Sequence, residues 1–253
     1  MITELLMECM DWLRGKHWPK HPIDLQLGIE TSKHVPRRFL RLGDAADAYN
    51  LGHVGAQPSV IRRALQSIGV TPDTVFIDLG SGKGRALIVA SEFPFKVLVG
   101  YELSLSLVNT SRHNINKRAL SRRVTIIQSD ASKPELPSEV ETIIFLHNPF
   151  KRPLVEILKN HIQNFLHSNS HAKVWIIYCN PVHYDVFDSS PVLTRYASEN
   201  LELQADEKMT TAWRSEAEAF VIYQSGPFRP SLAGATAQVK VTIPDYQAYV
   251  IKD

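Results

Sequence analysis

Three carboxylates stand at the ends of consecutive apolar segments, the places where functional groups of α/β proteins collect. Asp78, Glu102 and Asp130 each close a run rich in β-branched and aromatic residues, which is typical of a buried strand. Because the carboxyl ends of parallel strands meet at one edge of a sheet, the three acids are expected to line one ligand site.

A glycine-rich segment, Gly80-Ser81-Gly82-Lys83-Gly84, follows the first of these acids and precedes an apolar helix former. Such a strand–turn–helix gathers backbone N–H groups at a helix N-terminus, and its glycines lack the Cβ atoms that would keep a ligand away. The G-x-G-x-G spacing differs from the G-x-G-x-x-G of dinucleotide-binding proteins, which disfavours a nicotinamide-dependent oxidoreductase. An aspartate two residues before Gly80 would repel a pyrophosphate but suits a ligand that carries an ammonium group. S-adenosylmethionine is such a ligand, since it carries an α-ammonium and a sulfonium.

The other two acids fit the rest of that ligand. Glu102 lies 18 residues beyond Gly84, about where a ribose-binding carboxylate stands at the tip of the second strand. Asp130 is placed to accept a hydrogen bond from an adenine amino group. A glycine-rich turn that binds nothing is the alternative for the glycine motif alone, but polar residues at four strand ends in order argue for a ligand.

The fourth strand end carries Asn148-Pro149-Phe150, directly after the apolar run at 141–147. It resembles the [Asn/Asp]-Pro-Pro-[Tyr/Phe] loop of amino-methylating enzymes, with one proline fewer. An Asn oxygen and a carbonyl held by proline can accept both protons of an –NH₂ group, while the aromatic ring stacks on the substrate. The alternative is a strand-ending turn, since Asn-Pro is a common turn dipeptide. Asn180-Pro181, after the fifth strand, is explained equally well as a turn.

Together these landmarks resemble the class I S-adenosylmethionine-dependent methyltransferases, and more narrowly a widespread, mostly uncharacterised bacterial group within them. One departure concerns Tyr49, which stands nine residues before Pro58, whereas the group spaces this tyrosine closely before Pro-Ser or Pro-Thr. The resemblance spans most of the chain, and it is carried by Gly28–Ser32, Tyr49–Ser59, Asp78–Arg85, Ser91–Phe95, Gly100–Ser104, Asn148–Phe150 and Asn180-Pro181.

The resemblance implies an α/β fold: a doubly wound, mostly parallel sheet of seven strands with an antiparallel last pair, and S-adenosylmethionine as the cofactor. Residues 1–70 are interpreted as an N-terminal helical cap and residues 71–253 as the methyltransferase domain. The predicted catalytic residues are Asn148, Pro149, Phe150 and Tyr49, and the predicted cofactor-binding residues are Asp78, Gly80, Ser81, Gly82, Glu102, Leu103, Asp130, Ala131 and Asn148.

Composition places few limits on the partners. The chain has 253 residues, 44% hydrophobic and 21% charged, with a formal net charge of +2, which is ordinary for a globular protein and too mild to argue for nucleic acid. Two cysteines give no disulfide framework and no metal spacing, so a reducing compartment is expected. The first apolar run contains acids and is not a signal peptide, and no run is long enough to span a membrane. We expect a cytoplasmic protein whose partner is a small-molecule or protein acceptor.

Local patterns predict further elements. Apolar spacing indicates a helix over residues 2–14, and a second helix that Ser59 caps and Gly69 ends. Residues 193–203 and 219–224 would form the closing antiparallel pair, with a polar loop over residues 205–217. Lys83 and Arg85, at a helix start, could face an anionic substrate, although partial solvation explains them as well. The basic stretch between residues 103 and 129 is interpreted as the solvated face of a helix rather than as a polyanion-binding stripe, since it lacks interleaved aromatic residues.

The sequence therefore predicts a methyltransferase that acts on an amino group of a small molecule or of a protein side chain. A hydroxyl acceptor would call for a general base, and no His–Asp or paired-carboxylate motif marks one at this edge, although His147 and His183 lie near it. Two alternatives stay open: a nucleic-acid- or protein-binding module with a vestigial cofactor pocket, and an enzyme that transfers a different alkyl group. The intact acids Glu102 and Asp130 argue against a vestigial pocket.

Overall fold

The computed structural model describes residues 19–36, 39–40, 42, 52–210, 215–226 and 228–241. The helix predicted over residues 2–14 and the candidate Tyr49 lie outside these ranges. Seven strands form one sheet in the order β3-β2-β1-β4-β5-β7-β6. The strands are β1 (Thr74–Leu79), β2 (Val97–Glu102), β3 (Val124–Gln128), β4 (Glu141–His147), β5 (Val174–Cys179), β6 (Leu193–Glu202) and β7 (Ala217–Ser225).

The first five strands are parallel to one another, and β7 is antiparallel to both of its neighbours, β5 and β6. This confirms the predicted sheet and its antiparallel terminal pair. Strand order reverses between β1 and β4, which is where open α/β sheets bind ligands. The helices are α1 (Pro22–Leu27), α2 (Pro58–Ile68), α3 (Arg85–Ala90), α4 (Leu105–Lys117), α5 (Arg152–Ser168), α6 (Tyr184–Asp188) and α7 (Ala205–Thr210).

Helices cover both faces of the sheet. Phe76 and its neighbour Ile77 point into different cores, as the period of two along a strand requires. Apolar residues of α2, α3 and α4 pack into the core that contains Phe76, and those of α5 and α6 into the core that contains Ile77. Strands buried on both faces are apolar throughout, which is why Val174–Cys179 is recognisable as a strand from its sequence.

At both ends of helix α2, backbone groups that lack a partner within the helix are hydrogen-bonded by side chains from residues 196–229. Glu207 accepts a hydrogen bond from the backbone N–H of Ser59, at 2.8 Å, and another from the Ser59 hydroxyl. At the other end, Tyr196 donates to the carbonyl of Ser67, at 3.2 Å, and Arg229 donates to the carbonyl of Ile68. An acid at the N-terminus and a cation at the C-terminus of a helix both suit its dipole.

The predicted cap of α2 is wrong, and its predicted end is confirmed. Gln57 precedes the helix and Pro58 takes its first position, so Ser59 lies inside the first turn and bonds to Glu207 instead. Gly69 ends the helix with φ of 73°, and its N–H bonds to the Leu65 carbonyl.

Two further expectations change. The polar stretch 205–217 contains α7 and the start of β7, rather than only a loop. Strand β3 ends at Gln128, short of the acid at position 130.

The division into a cap and a sheet domain near residue 70 remains a prediction. Among the described residues, no helix is long and apolar enough to cross a membrane.

The basic stretch after β2 is partly structural. Arg112 donates to the backbone carbonyl of Ile126 at 2.9 Å. Arg123 donates to the carbonyls of Phe93 and Phe95, at 3.1 and 2.6 Å, and so ties the start of β3 to the loop before β2. These two guanidinium groups hold neighbouring segments together. Arg112 lies on α4, as the interpretation as a helix face expects, whereas Arg123 lies beyond the end of that helix.

Candidate active site

A cleft opens at the carboxyl edge of strands β1 to β4, and the empty space in and above it, open solvent included, is about 600 Å³. Four different strand ends contribute to its wall, through Gly80, Glu102, Asp130 and His147. We call the ends of β1, β2 and β3 the cofactor side, and the ends of β4 and β5 the acceptor side. The predicted site residues Leu103, Ala131, Pro149 and Phe150 also line the cleft.

The glycine-rich loop between β1 and α3 needs its glycines. Gly80 and Gly82 have φ of 72° and 52°, in the left-handed region that favours glycine. A Cβ atom on Gly80 would lie 2.7 Å from the Cβ of Pro149, and a Cβ on Gly82 would collide with the ring of His53. The loop is therefore packed between the acceptor side and the segment around His53, with no room for a side chain at either position.

Glu102 is held rigidly at the end of β2. Its carboxylate accepts hydrogen bonds from the backbone N–H groups of Gly82, at 2.9 Å, and of Ser104, at 2.8 Å. Burial raises the pKa of Glu102, and these backbone amides oppose the rise. Each carboxylate oxygen has a second lone pair, so the group can still accept hydrogen bonds from a diol in the cleft.

Asp130 stands in a different environment from Glu102. It is exposed, and its carboxylate accepts hydrogen bonds from the N–H and the hydroxyl of Ser132, at 2.9 and 3.0 Å. This turn directs the chain away from β3 and leaves the carboxylate at the open end of the cleft.

Asp78 and Ser81 lie behind the wall of the cleft. Asp78 is 3% exposed, and burial together with the charge of Glu102 raises its pKa to about 8, against the opposing charge of His147. Ser81 is 6% exposed and packs beneath β2, where its hydroxyl lies 2.7 Å from the position of a Cβ on Gly100. Both predicted site residues are therefore buried and do not line the cleft.

Partial solvation is the wrong explanation for Lys83 and Arg85, because they are 3% and 5% exposed. The Lys83 ammonium donates to the carboxylate of Glu30 at 2.8 Å and to the carbonyl of Lys33 at 2.7 Å. Burial lowers the Lys83 pKa, and the contact with Glu30 opposes that effect. The cation therefore binds the N-terminal segment rather than a substrate.

Arg85 makes a second connection to the same segment. Its guanidinium donates to the hydroxyls of Thr31, at 2.7 Å, and Ser32, at 3.2 Å, and to the carbonyl of Gly55, at 3.2 Å. Those two hydroxyls in turn donate to the buried carboxylate of Asp24. We call residues 24–33 the N-terminal clamp, since they hold both cations of the glycine-rich loop.

Asn114 of α4 closes this arrangement. Its amide donates to the carbonyls of Glu30, at 2.9 Å, and Lys83, at 3.0 Å, and its oxygen accepts from the N–H of Glu30, at 3.1 Å. Two sequence landmarks far apart in the chain, Gly28–Ser32 and Asp78–Arg85, thus meet in one buried network. The resemblance contained both landmarks, but nothing local in the sequence indicated that they touch.

On the acceptor side, Asn148 and Asn180 follow β4 and β5 with the same φ of 42°. Asparagine tolerates this left-handed conformation better than most residues. The side-chain oxygen of Asn148 accepts a hydrogen bond from the hydroxyl of Tyr178, at 3.0 Å. Asn148 is 6% exposed, behind Pro149 and Phe150 in the cleft wall.

His147 forms an ion pair that the sequence did not indicate. Its Nε2 lies 3.2 Å from the Glu218 carboxylate on β7, and its Nδ1 lies 3.4 Å from the Val54 carbonyl. Burial alone would lower the pKa of His147, but Glu218 and the Val54 carbonyl outweigh it and the pKa is raised. Both ring nitrogens face acceptors, so the protonated ring satisfies both contacts.

The residues present fit S-adenosylmethionine. Gly80 is exposed in the cleft, Glu102 offers free lone pairs to a ribose, and Asp130 stands one strand further along for an adenine. A buried ring nitrogen of His53, in the same wall, has no hydrogen-bond partner among the described residues.

Sequence comparisons agree with this fit. Residues 56–176, slightly less than half of the chain, match the profile of a family described as ribosomal RNA adenine dimethylase. A protein-lysine N-methyltransferase of Saccharolobus islandicus (strain REY15A) is 28% identical over 95 residues, which cover 37% of this chain and 59% of that protein. The chain thus spans less than two thirds of the length of this relative.

Solved structures with similar folds include an RNA methyltransferase from Salinibacter ruber in complex with S-adenosyl-L-homocysteine. It is 20% identical, with a TM-score of 0.45, over 70% of this chain and 97% of that one. TrmN from Thermus thermophilus is 13% identical, with a TM-score of 0.48, over 67% of this chain and 49% of that one. Similarity at this level carries no information about the reaction.

The doubly wound sheet binds ligands at the edge where the cleft lies, and the profile match covers the strands and loops that build that cleft. The carboxylates of the cleft suit a sulfonium nucleoside rather than a dinucleotide, and in this the chain is similar to the class I, Rossmann-like S-adenosylmethionine-dependent methyltransferases.

Proposed function

We propose that the protein transfers the methyl group of S-adenosylmethionine to the nitrogen of an amino group, on a protein side chain or a small molecule. The observation that carries this proposal is the position of Asn148-Pro149-Phe150 directly after β4, in contact with the cofactor side. The cofactor supplies an electrophilic methyl group on its sulfonium, and the chain supplies position and a dry environment.

The carboxamide of Asn148 is oriented for this role. The Tyr178 hydroxyl donates to its oxygen and occupies one lone pair. Asn148 is 6% exposed and does not line the cleft, so its second lone pair accepts an N–H only from an acceptor that reaches past Pro149 and Phe150. Burial raises the pKa of Tyr178, which keeps the phenol protonated and able to donate. An amine that gives its proton to Asn148 directs its own lone pair away from that contact, toward the methyl group.

Pro149 and Phe150 bring the acceptor loop against the cofactor loop. Pro149 occupies the space that a side chain at Gly80 would need, so no wider gap separates the two loops. Phe150 is 2% exposed and gives the cleft an apolar wall. An apolar wall excludes water from the reacting atoms and favours a neutral amine over an ammonium ion.

The activities of the similar proteins support an amino acceptor of one of two kinds. One relative is a protein-lysine N-methyltransferase, and the matching family is described as a ribosomal RNA adenine dimethylase. A lysine amine is the first candidate. The second is the amino group of adenine in RNA, which the family match favours. Both present an –NH₂ group to Asn148.

Product analysis tests the proposal. The purified protein is incubated with S-adenosylmethionine and either a mixture of cellular proteins or total RNA, and the modified atom is located by mass spectrometry. We expect a methyl group on nitrogen. A methyl group on oxygen or carbon, or transfer of a larger alkyl group, would overturn it.

Asn148→Ala tests the residue that carries the proposal. We expect kcat to fall about 10²-fold, the scale of losing one positioned polar contact, with S-adenosylhomocysteine affinity within about twofold of the parent. Asn160→Ala, at an exposed position on α5, is the matched control and should leave kcat unchanged. Unchanged kcat in Asn148→Ala would remove the proposed role of this residue.

A further inference from the structure

The imidazole of His53 lies in the cleft wall against the glycine-rich loop. It occupies the space over Gly82, where any Cβ would collide with its ring. Its backbone is fixed by a two-way bridge with Val35: the His53 N–H donates to the Val35 carbonyl at 2.8 Å, and the His53 carbonyl accepts from the Val35 N–H at 3.3 Å. The ring is thus held in place by the backbone on one side and the loop on the other.

The Nε2 atom of this ring is buried and has no hydrogen-bond partner among the described residues. Buried polar atoms are nearly always satisfied, since leaving one unpaired costs the full loss of its hydration. A partnerless nitrogen in the wall of a ligand cleft indicates that the ligand supplies the partner.

The protonation of the ring decides what that partner is. The backbone carbonyl of Thr31 accepts a hydrogen bond from the ring, which places the proton on Nδ1 and leaves Nε2 as a lone pair. Burial, followed by the positive charges of Lys83 and Arg85, holds the pKa of His53 well below its usual range. The ring is therefore neutral and can only accept at Nε2.

The order of groups along the sheet edge identifies the part of the cofactor that reaches His53. If adenine lies at Asp130 and ribose at Glu102, the next strand end, at the glycine-rich loop, receives the methionine portion. That portion offers a carboxylate, which only accepts hydrogen bonds, a sulfonium, which does neither, and an α-ammonium, which donates.

We propose that Nε2 of His53 accepts a hydrogen bond from the α-ammonium group of the bound cofactor, which makes His53 a cofactor-binding residue. The proposal rests on S-adenosylmethionine as the cofactor and is independent of the acceptor. The two buried cations of the glycine-rich loop add to the effect of burial on the His53 ring. Lys83 and Arg85 keep the ring from taking up a proton, so that its lone pair stays available to a positively charged group.

Calorimetric titration with two ligands tests the proposal. The ligands are S-adenosylhomocysteine and its analogue in which the α-amino group is replaced by hydrogen. His53→Ala should weaken binding of S-adenosylhomocysteine about 10-fold or more, the usual effect of one hydrogen bond to a charged group. For the analogue, parent and His53→Ala should bind within about twofold of each other.

Two variants keep the test independent of folding. His53→Gln places an amide oxygen near the position of Nε2 and should recover part of the lost affinity for S-adenosylhomocysteine. His113→Ala, at an exposed site on α4, should bind both ligands like the parent. Thermal unfolding without ligand shows whether each variant is folded before it is titrated.

Three results would overturn the proposal. Equal weakening for both ligands in His53→Ala means that the ring only supports the loop. Weakening that disappears for a decarboxylated analogue, instead of the deaminated one, means that the ring donates to the carboxylate. Failure of the parent to bind S-adenosylhomocysteine removes the cofactor itself, and with it this proposal. Loss of the acceptor assignment alone leaves it intact.

Discussion

On the cofactor side of the cleft, segments far apart in the chain hold the glycine-rich loop in place, whereas Asn148 on the acceptor side is held by the adjacent strand. Lys83 and Arg85 reach back about fifty residues to the N-terminal clamp through buried, charge-assisted hydrogen bonds. Asn148 is oriented by Tyr178 of the neighbouring strand β5, through one neutral hydrogen bond.

This difference separates the two tasks of the site. The cofactor side is built so that its geometry is inseparable from the fold, since the same buried cations support both. On the acceptor side, the carboxamide of Asn148 is held by one neutral hydrogen bond, so its loss costs the fold less. Replacement of side chains should therefore affect stability on the cofactor side and turnover on the acceptor side.

The largest effect is expected from Arg85→Met. Its removal takes away the donor to the Thr31 and Ser32 hydroxyls. Of the two loop cations, only Lys83 then remains near the buried carboxylate of Asp24. Loss of one partner of a buried charge network costs about 3–5 kcal/mol. Urea unfolding measures the loss. Arg63→Met is the matched control, because the ion pair of Arg63 with Glu199 is at the surface and contributes about 1 kcal/mol or less. Equal effects in the two variants would break the comparison.

A smaller effect is expected from Glu102→Ala. It removes the charged acceptor for the ribose, and the affinity for S-adenosylhomocysteine should fall by about 1.5–3 kcal/mol in a calorimetric titration. Glu135→Ala, at an exposed position beyond β3, should bind like the parent. Unchanged affinity in Glu102→Ala would show that the ribose lies elsewhere in the cleft.

The smallest effect concerns the pH dependence of stability. Asp78 has a pKa of about 8 in the folded protein and 3.8 when unperturbed, so between these values the folded state holds a proton that the unfolded state has lost. Its contribution to stability is therefore full below about pH 4 and is lost as the pH rises through about 8.

Asp78→Asn should remove this dependence. We expect its Tm to exceed that of the parent at pH 8, and by less at pH 5, because only the parent carries a group whose pKa differs between the folded and unfolded states. Asp73→Asn, at an exposed position just before β1, serves as the control and should show no such trend. A difference in Tm that is the same at both pH values would mean that Asp78 is ionised throughout.

The strand ends of the cofactor side could be predicted because their signals are local. A run buried on both faces is apolar throughout, and the residue that ends it is conspicuous, as Glu102 is after Val97. Strand β3 was predicted too long because its sequence continues in a strand-like pattern to Ala131. The hydrogen bonds from Ser132 to Asp130 form a turn there instead, and a side-chain turn of this kind competes with the strand ladder.

The contacts of the N-terminal clamp could not be predicted, because the residues that make them are far apart in the sequence. A cation at a helix start is usually solvated, and only the fold brings Glu30 and Thr31 to Lys83 and Arg85. The same holds for Glu218, which reaches His147 from the last strand. The partnerless nitrogen of His53 likewise becomes visible only when the cleft is assembled.

The ends of helix α2 have a consequence for how the protein is made. Glu207 lies 148 residues beyond Ser59, and at a synthesis rate of about 5–20 residues per second it leaves the ribosome roughly 7–30 s later. Arg229 follows later still, at the opposite end of the helix. The nascent chain can therefore dock α2 on α3 early, but it completes that helix only when the terminal strands have emerged. A chain that ends before Arg229 would retain every residue that lines the cleft. The C-terminal carbonyl of α2 at Ile68 would nevertheless lack its hydrogen bond from Arg229.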